Sequence, residues 1–343
     1  MHDIDALTDD EVDDLIRSFR EKLGDTLIIP VHHYQRNEIV QFADRTGDSL
    51  ELSRVAAGTD ARFIVFCGVS FMAEIARVLA RPGQHVLVPN SDAGCPLADY
   101  ANLEGVRKLW DRLQRFHPDE YIPVTYANSN TDIKAFCGER DGYVCTSSNA
   151  GLVFETVLKK GFRVFFMPDR NLGINTAVAL GLGKETWISG GDEEGIRGKR
   201  VVLWNGHCAV HTVFKPSHVE EWRKRKKNAR IIVHPESDPE VAALAGMSGS
   251  TARIKKLVEE SGKGSEWVIG TEYRMVERLA QSNPDKFVAP LLRTVCEDMS
   301  KNTRRDLLGV LQRIDAGNLS DEVTVGNDIA TSARKAIERM LAL

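Results

Sequence analysis

The chain has 343 residues, 42% of them hydrophobic, with 49 acidic against 45 basic residues and a formal net charge of −4. That is enough apolar content for two or three packed cores, and the charge balance argues against a general nucleic-acid binder, which needs a basic surface. Glu74 and Arg77 interrupt the longest apolar stretch, the N-terminus is acidic rather than signal-like, and six cysteines in such a chain fit a reducing cytoplasm where thiols bind metal, catalyse or pack.

Thr8 and Glu11 have capping-box spacing, and Val12, Leu15, Ile16, Phe19 and Leu23 recur at helical spacing, which predicts an amphipathic helix within residues 1–23. Three opening strands then read alike: IIPVHHYQ at 28–35, YIPVTYAN at 121–128 and RIIVHPES at 230–237. Aligned, they make His32, Thr125 and His234 equivalent, and the chain runs 63, 83 and 62 residues from these to Cys95, Cys208 and Cys296. The outer two spacings agree. The middle one carries a surplus, placed near Gly138–Gly142 and in the glycine-rich 181–200 stretch, where loop insertions cost little.

Apolar strands at Phe63–Phe66, Val164–Met167 and Trp267–Ile269, each followed by a helical pattern, keep the same register. The expected fold class is α/β: three similar three-layer αβα domains with short parallel sheets, related by a pseudo-threefold axis with the site at their junction. Their bounds are 24–112, 113–217 and 218–310, between the N-terminal helix and a helical segment at 311–343. Ala333, Ile337, Met340 and Leu341 give that last segment an apolar face, expected to pack back on the N-terminal helix. Arg223 to Lys227, after Trp222, read as the solvated face of a linker helix.

Cys95, Cys208 and Cys296 each follow a strand closely, where ligand loops gather in parallel α/β sheets. Cys67, Cys137 and Cys145 read as packing or incidental thiols. Three protein thiolates can hold zinc or an iron-sulfur cluster, and spacing alone does not choose between them, although structural zinc sites normally show paired ligands a few residues apart, which this chain lacks here. An iron-sulfur cluster tolerates dispersed ligands, and a four-iron cube held by three thiolates keeps one iron open as a Lewis acid.

Polar residues also come in threes. Thr46–Ser49, Thr146–Asn149 and Ser248–Thr251 each lead into a helix; alone each is an N-cap, and together they offer three positive helix ends to a small polyanion. His32 with Tyr34, Tyr126 with Asn128, and His234 with Glu236 occupy the tips of the opening strands, and His211 lies three residues after Cys208; these are the acid and base candidates. His33, His85, His117 and His218 read as structural or surface residues.

The motifs HHYQ, GDS, PNSDAGCPLAD, YANSN, CTSSNA, PDRNLG, WNGHCAVH, HPES, SGST and CEDM, in this order from Ile28 to Arg305, closely resemble the quinolinate synthase (NadA) family, in its longer form with an enlarged middle domain. The resemblance implies three similar α/β domains around a [4Fe-4S] cluster. It also implies a transferase that condenses iminoaspartate with dihydroxyacetone phosphate to quinolinate, with loss of phosphate and water, in cytoplasmic NAD biosynthesis. By the same resemblance Cys95, Cys208 and Cys296 are the cluster ligands. His32, Ser49, Tyr126, Asn128, Ser147, His234, Glu236, Ser250 and Thr251 contact substrate, and Tyr34, Tyr126, His211 and Glu236 serve catalysis. The implied partners are those two substrates and a functional link to the enzyme supplying iminoaspartate. The run Cys296-Glu297-Asp298-Met299 lacks the further cysteines that some members carry there. The residues alone also admit an aconitase-type iron-sulfur hydro-lyase or an iron-sulfur sensor or electron carrier; a carrier has no need of the acid, base and anion-binding triplets.

Overall fold

The structure, a computed structural model, describes residues 3–190 and 193–343. Gly191 and Asp192, within the 181–200 stretch read as surplus, lie outside the described residues. Every strand pairing among the described residues is parallel, and helices alternate with the strands, so the class is α/β with several short sheets. The chain divides into two compact units, Met1–Cys95 with Val295–Gly326, and Pro96–Thr294 with Asn327–Leu343.

In the first unit, β1 (Leu27–Ile28), β4 (Phe63–Val65) and β5 (His85–Leu87) form a sheet of order β1-β4-β5, and β2 (Pro30–His32) pairs with β3 (Arg45–Gly47). The single opening strand expected over 28–35 is therefore broken at Ile29. Pro30 brings no N–H to a ladder, and the Ile29 N–H donates to Asp44 Oδ2 at 2.7 Å instead of to a strand. The chain then runs beside Cys67, whose N–H donates to the Pro30 carbonyl at 2.9 Å.

The helix Asp9–Leu23 starts on the expected box: the Thr8 side chain accepts from the Glu11 N–H, and Glu11 accepts from the Thr8 N–H. Its Val12 and Ile16 are fully buried against Ile29, Val31, Phe42, Leu307, Leu308 and Leu311, each burial being worth about 1.5–3 kcal/mol relative to exposure. The partner supplying the leucines is the helix Arg304–Asp315, itself capped by Thr303.

The second unit holds two sheets. One has the order β7-β6-β8-β10-β9, from β6 (Tyr121–Tyr126), β7 (Tyr143–Cys145), β8 (Arg163–Met167), β9 (Trp187–Ser189) and β10 (Val201–Leu203). The other has the order β11-β12-β13, from β11 (Arg230–Val233), β12 (Glu266–Gly270) and β13 (Phe287–Pro290). Val164, Phe165, Phe166 and Met167 are all fully buried, as a central parallel strand covered on both faces requires. The glycine-rich stretch after 181 supplies the edge strand β9.

The C-terminal helix Asn327–Leu341 has the expected apolar face, with Ala333, Ile337 and Met340 fully buried. It lies on the helix Thr131–Gly138 and on β7, because Gly138 leaves the space: a Cβ there would sit 1.8 Å from the Ser332 carbonyl oxygen. Arg339 fastens the same helix by donating to the Gly142 carbonyl and to Asp141.

Candidate active site

In the second unit, the loops that leave the carboxyl ends of parallel strands converge. Cys208 and His211 follow β10, His234 and Glu236 follow β11, Tyr126 ends β6, Ser147 follows β7, and Thr271 follows β12. His211 is the hub. Its Nδ1 lies 2.6 Å from Glu236 Oε2 and 3.3 Å from Cys208 Sγ, and its Nε2 lies 3.1 Å from the Thr271 hydroxyl. The His234 ring stacks on it with centroids 4.3 Å apart at 22°, and His234 Nε2 reaches the Ser147 hydroxyl at 3.2 Å. Cys208, His211 and Glu236 each offer a donor atom within 4.8 Å of the others, a set with the chemistry to hold a metal ion.

Burial sets the charges. His234 is buried, and desolvation first, with the neighbouring His211 second, holds its imidazole down to about 3, so it is neutral at pH 7. Burial opposes the charge on Glu236 as well, but hydrogen bonds from His211 and Tyr126 outweigh it and keep the carboxyl below its ordinary range. Asp169, fully buried at the start of the helix Arg170–Ala179, goes the other way: desolvation and then the nearby Glu236 charge push it well up.

Of the other expected residues in this unit, Asn128 is half-buried, and its enclosed Oδ1 has no hydrogen-bond partner among the described residues. Ser250 caps the helix Thr251–Glu260 by accepting from the Arg253 N–H at 3.3 Å, and Thr251 is its buried first residue. Thr271 and Asp169 escaped the sequence reading. The signal for Thr271 was its place just past β12, the same strand-end rule that marked His234; for Asp169 it was the capping position opening a helix after β8.

The first unit holds His32, Tyr34, Ser49, Cys95 and Cys296. The buried His32 accepts the Tyr34 N–H at Nδ1 (3.2 Å), and the two rings meet edge to face at 4.7 Å. Ser49 is the first residue of the helix Ser49–Gly58, whose cap is Asp48, accepting from the Leu50 and Glu51 N–H groups at 2.9 Å. The loops bearing Cys95 and Cys296 are tied to each other: Lys301 Nζ donates to the Asp92 carbonyl at 2.8 Å, and the Asn90 N–H donates to Asn302 Oδ1 at 3.2 Å. Cys95, Cys208 and Cys296 are partly exposed, whereas Cys67, Cys137 and Cys145 are fully buried with thiols pushed up by desolvation. Among the histidines read as structural, His85 pairs with Glu322 at 2.9 Å and His117 with Glu120 at 3.2 Å.

A family model described as Quinolinate synthetase A protein matches residues 14–342. Similar curated proteins include a quinolinate synthase of Acidobacterium capsulatum, 41% identical over 98% of this chain and 94% of that protein. One of Geobacillus sp. is 41% identical over 97% and 94%, and one of Nocardioides sp. is 42% identical over 99% and 91%. No helix among the described residues is long and apolar enough to cross a membrane.

Proposed function

Because the chain belongs to the quinolinate synthetase A protein family, we propose that it is a quinolinate synthase, a cytoplasmic transferase of NAD biosynthesis that joins iminoaspartate to dihydroxyacetone phosphate with loss of phosphate and water. The observation that carries the reading at this chain's own residues is the buried Glu236–His211 pair beside Cys208. Ring formation from these two substrates needs protons removed from carbon and delivered to leaving oxygens, in a pocket that also tolerates several anionic groups.

Glu236 is the base. Held ionised and dry, it takes a proton from carbon during tautomerisation, and His211, 2.6 Å away, steadies the carboxylate and passes the proton on. The neutral His234, whose Nδ1 accepts the Glu236 N–H at 3.4 Å, carries its one proton on Nε2 beside the Ser147 hydroxyl, and that N–H turns from Ser147 to a substrate carbonyl or carboxylate without adding a charge. Tyr126 and Tyr34 supply phenols for proton delivery. Ser49, Ser147, Ser250 and Thr251 stand at or just before the first turns of ten-residue helices, where backbone N–H groups and the helix dipole suit carboxylate and phosphate. Asn128, with its enclosed Oδ1, accepts from the imine or hydroxyl end.

The family implies a [4Fe-4S] cluster, and the thiols fit one. The three cysteines that the motifs PNSDAGCPLAD, WNGHCAVH and CEDM single out, Cys95, Cys208 and Cys296, are the partly exposed ones, while the desolvated Cys67, Cys137 and Cys145 are poor thiolates. Held by these three ligands, the cluster would supply a Lewis-acidic iron for the loss of water. The repeats 24–112, 113–217 and 218–310 belong to the same proposal, as does a functional link to the enzyme that supplies unstable iminoaspartate. Anaerobically purified protein given iminoaspartate and dihydroxyacetone phosphate should form quinolinate and release inorganic phosphate. Phosphate release without quinolinate, or neither product from iron-replete protein, would sink the reading.

A further inference from the structure

The segment Pro235–Asp238 that carries Glu236 has no strand or helix of its own to hold it, yet three of its backbone carbonyls and one side chain are held from one side. The helix Arg170–Ala179 presents Asn171 and Asn175, one turn apart, to this segment. The Asn171 side-chain amide donates to the Glu236 carbonyl at 3.2 Å and to Asp238 Oδ1 at 3.1 Å. That of Asn175 donates to the Pro235 carbonyl at 2.7 Å and to the Ser237 carbonyl at 2.9 Å. Each of four consecutive residues thus contributes one acceptor, and two amides spend both their N–H groups on them. Since all four partners are acceptors, the network itself assigns the amide orientation.

The helix that carries the clamp is itself fixed. Its Asp169 cap accepts from the Leu172 N–H at 2.7 Å, and Gly173 lets it approach the sheet so closely that a Cβ would sit 2.5 Å from a Leu203 methyl. Asn171 is fully buried and Asn175 half-buried. A buried amide spent on a loop backbone gives up hydration and side-chain freedom, a cost offset here by four hydrogen bonds concentrated on one segment.

We propose that Asn171 and Asn175 are positioning residues of this enzyme: they lock Pro235–Asp238 and so aim the Glu236 carboxylate at its proton, a role that rests on the reading of Glu236 as the base. Neither touches the reacting atoms. Their effect passes through the backbone of the residue they hold.

The test compares the holo protein with Asn175→Ala and with the isosteric Asn171→Asp, which sets a carboxylate against two acceptors. Amide hydrogen exchange across 234–238 should quicken by about tenfold or more in both, while the sheet strands keep their protection. In steady-state kinetics kcat should fall by about tenfold or more with KM within about threefold, since groups that act only on orientation of the base appear in kcat. Should Asn171→Asp fail to fold, Asn175→Ala, at the half-buried site, decides alone. Unchanged exchange across 234–238, or a kcat within about twofold of the parent, overturns the proposal. If the parent protein forms no quinolinate the reaction assignment fails, and the exchange measurement still decides whether the clamp exists.

Discussion

His211 sets its Nδ1 2.6 Å from Glu236 Oε2, and both side chains are almost completely shielded from water. That neighbour and a hydrogen bond from Tyr126 keep the carboxyl ionised and fixed in place, so Glu236 acts through its position rather than through high basicity. Glu236→Gln keeps the shape and removes the charge, so kcat should drop by about 100-fold or more, in line with the usual worth of a positioned base, with a much smaller change in KM. Steady-state kinetics checks this, and a kcat within tenfold of the parent would remove Glu236 from the role.

The contrast among the thiols gives a second expectation. Cys208→Ser should yield colourless protein with iron lost and no synthase activity, whereas Cys145→Ala, at a fully buried position, should stay brown and active while losing some stability. Iron content and the visible spectrum distinguish the two outcomes.

Ser49 and Thr251 each open a ten-residue helix. Ser49→Ala and Thr251→Ala should raise KM by about five- to thirtyfold, the worth of one or two kcal/mol of hydrogen bonding to an anion, with kcat less affected. Substrate titrations read this directly; no change in either constant would refute the anion-binding role.

Glu272 caps the helix Tyr273–Ser282 from a buried position, and desolvation raises its carboxyl to about 7. The folded state therefore keeps a proton that the unfolded chain releases near 4.5. By linkage, stability is greatest below that value and is lost as pH rises toward 7. Glu272→Gln, which keeps an acceptor for the Arg274 and Met275 N–H groups, should gain about 1–3 kcal/mol on the parent at pH 8 compared with pH 5. Denaturant unfolding at the two pH values measures it; an equal offset at both would show that Glu272 ionises normally.

Gly138 lies under the C-terminal helix with no room for a methyl group. Gly138→Ala should cost about 1–3 kcal/mol through overpacking and loosen that helix, seen as a lower Tm and faster amide exchange in 327–341. A Tm equal to the parent's would mean that the helix yields freely.

What the sequence made legible was whatever repeats or follows a local rule. The Thr8–Glu11 box, the apolar runs of β8 and β12, and the strand-tip residues His234 and Glu236 all announce themselves through spacing. Cys208 and His211 lie three apart in one loop, so their proximity needs no fold to foresee. The break at Ile29 turned on one side-chain acceptor, Asp44, fifteen residues on. The docking of the last helix turned on one glycine nearly two hundred residues before it. Thr271 meets His211 across sixty residues, and the Asn171 and Asn175 amides reach backbone carbonyls just as distant. A carbonyl carries no side-chain signature, so such contacts leave no pattern in the residues that receive them.

The core of the first unit is finished by Leu307, Leu308, Val310 and Leu311, packed among Val12, Ile16, Ile29 and Phe42. On the ribosome the N-terminal half of that core emerges long before its partner exists, and its apolar face must wait through synthesis of almost everything else. Native closure of this unit consequently waits for the helix Arg304–Asp315 and is dominated by contacts of very large sequence separation. A nascent chain stalled before residue 304 would contain Cys95, Cys208 and Cys296 and every acid and base of the site, yet have no finished interior to support Tyr34, Cys95 and Cys296.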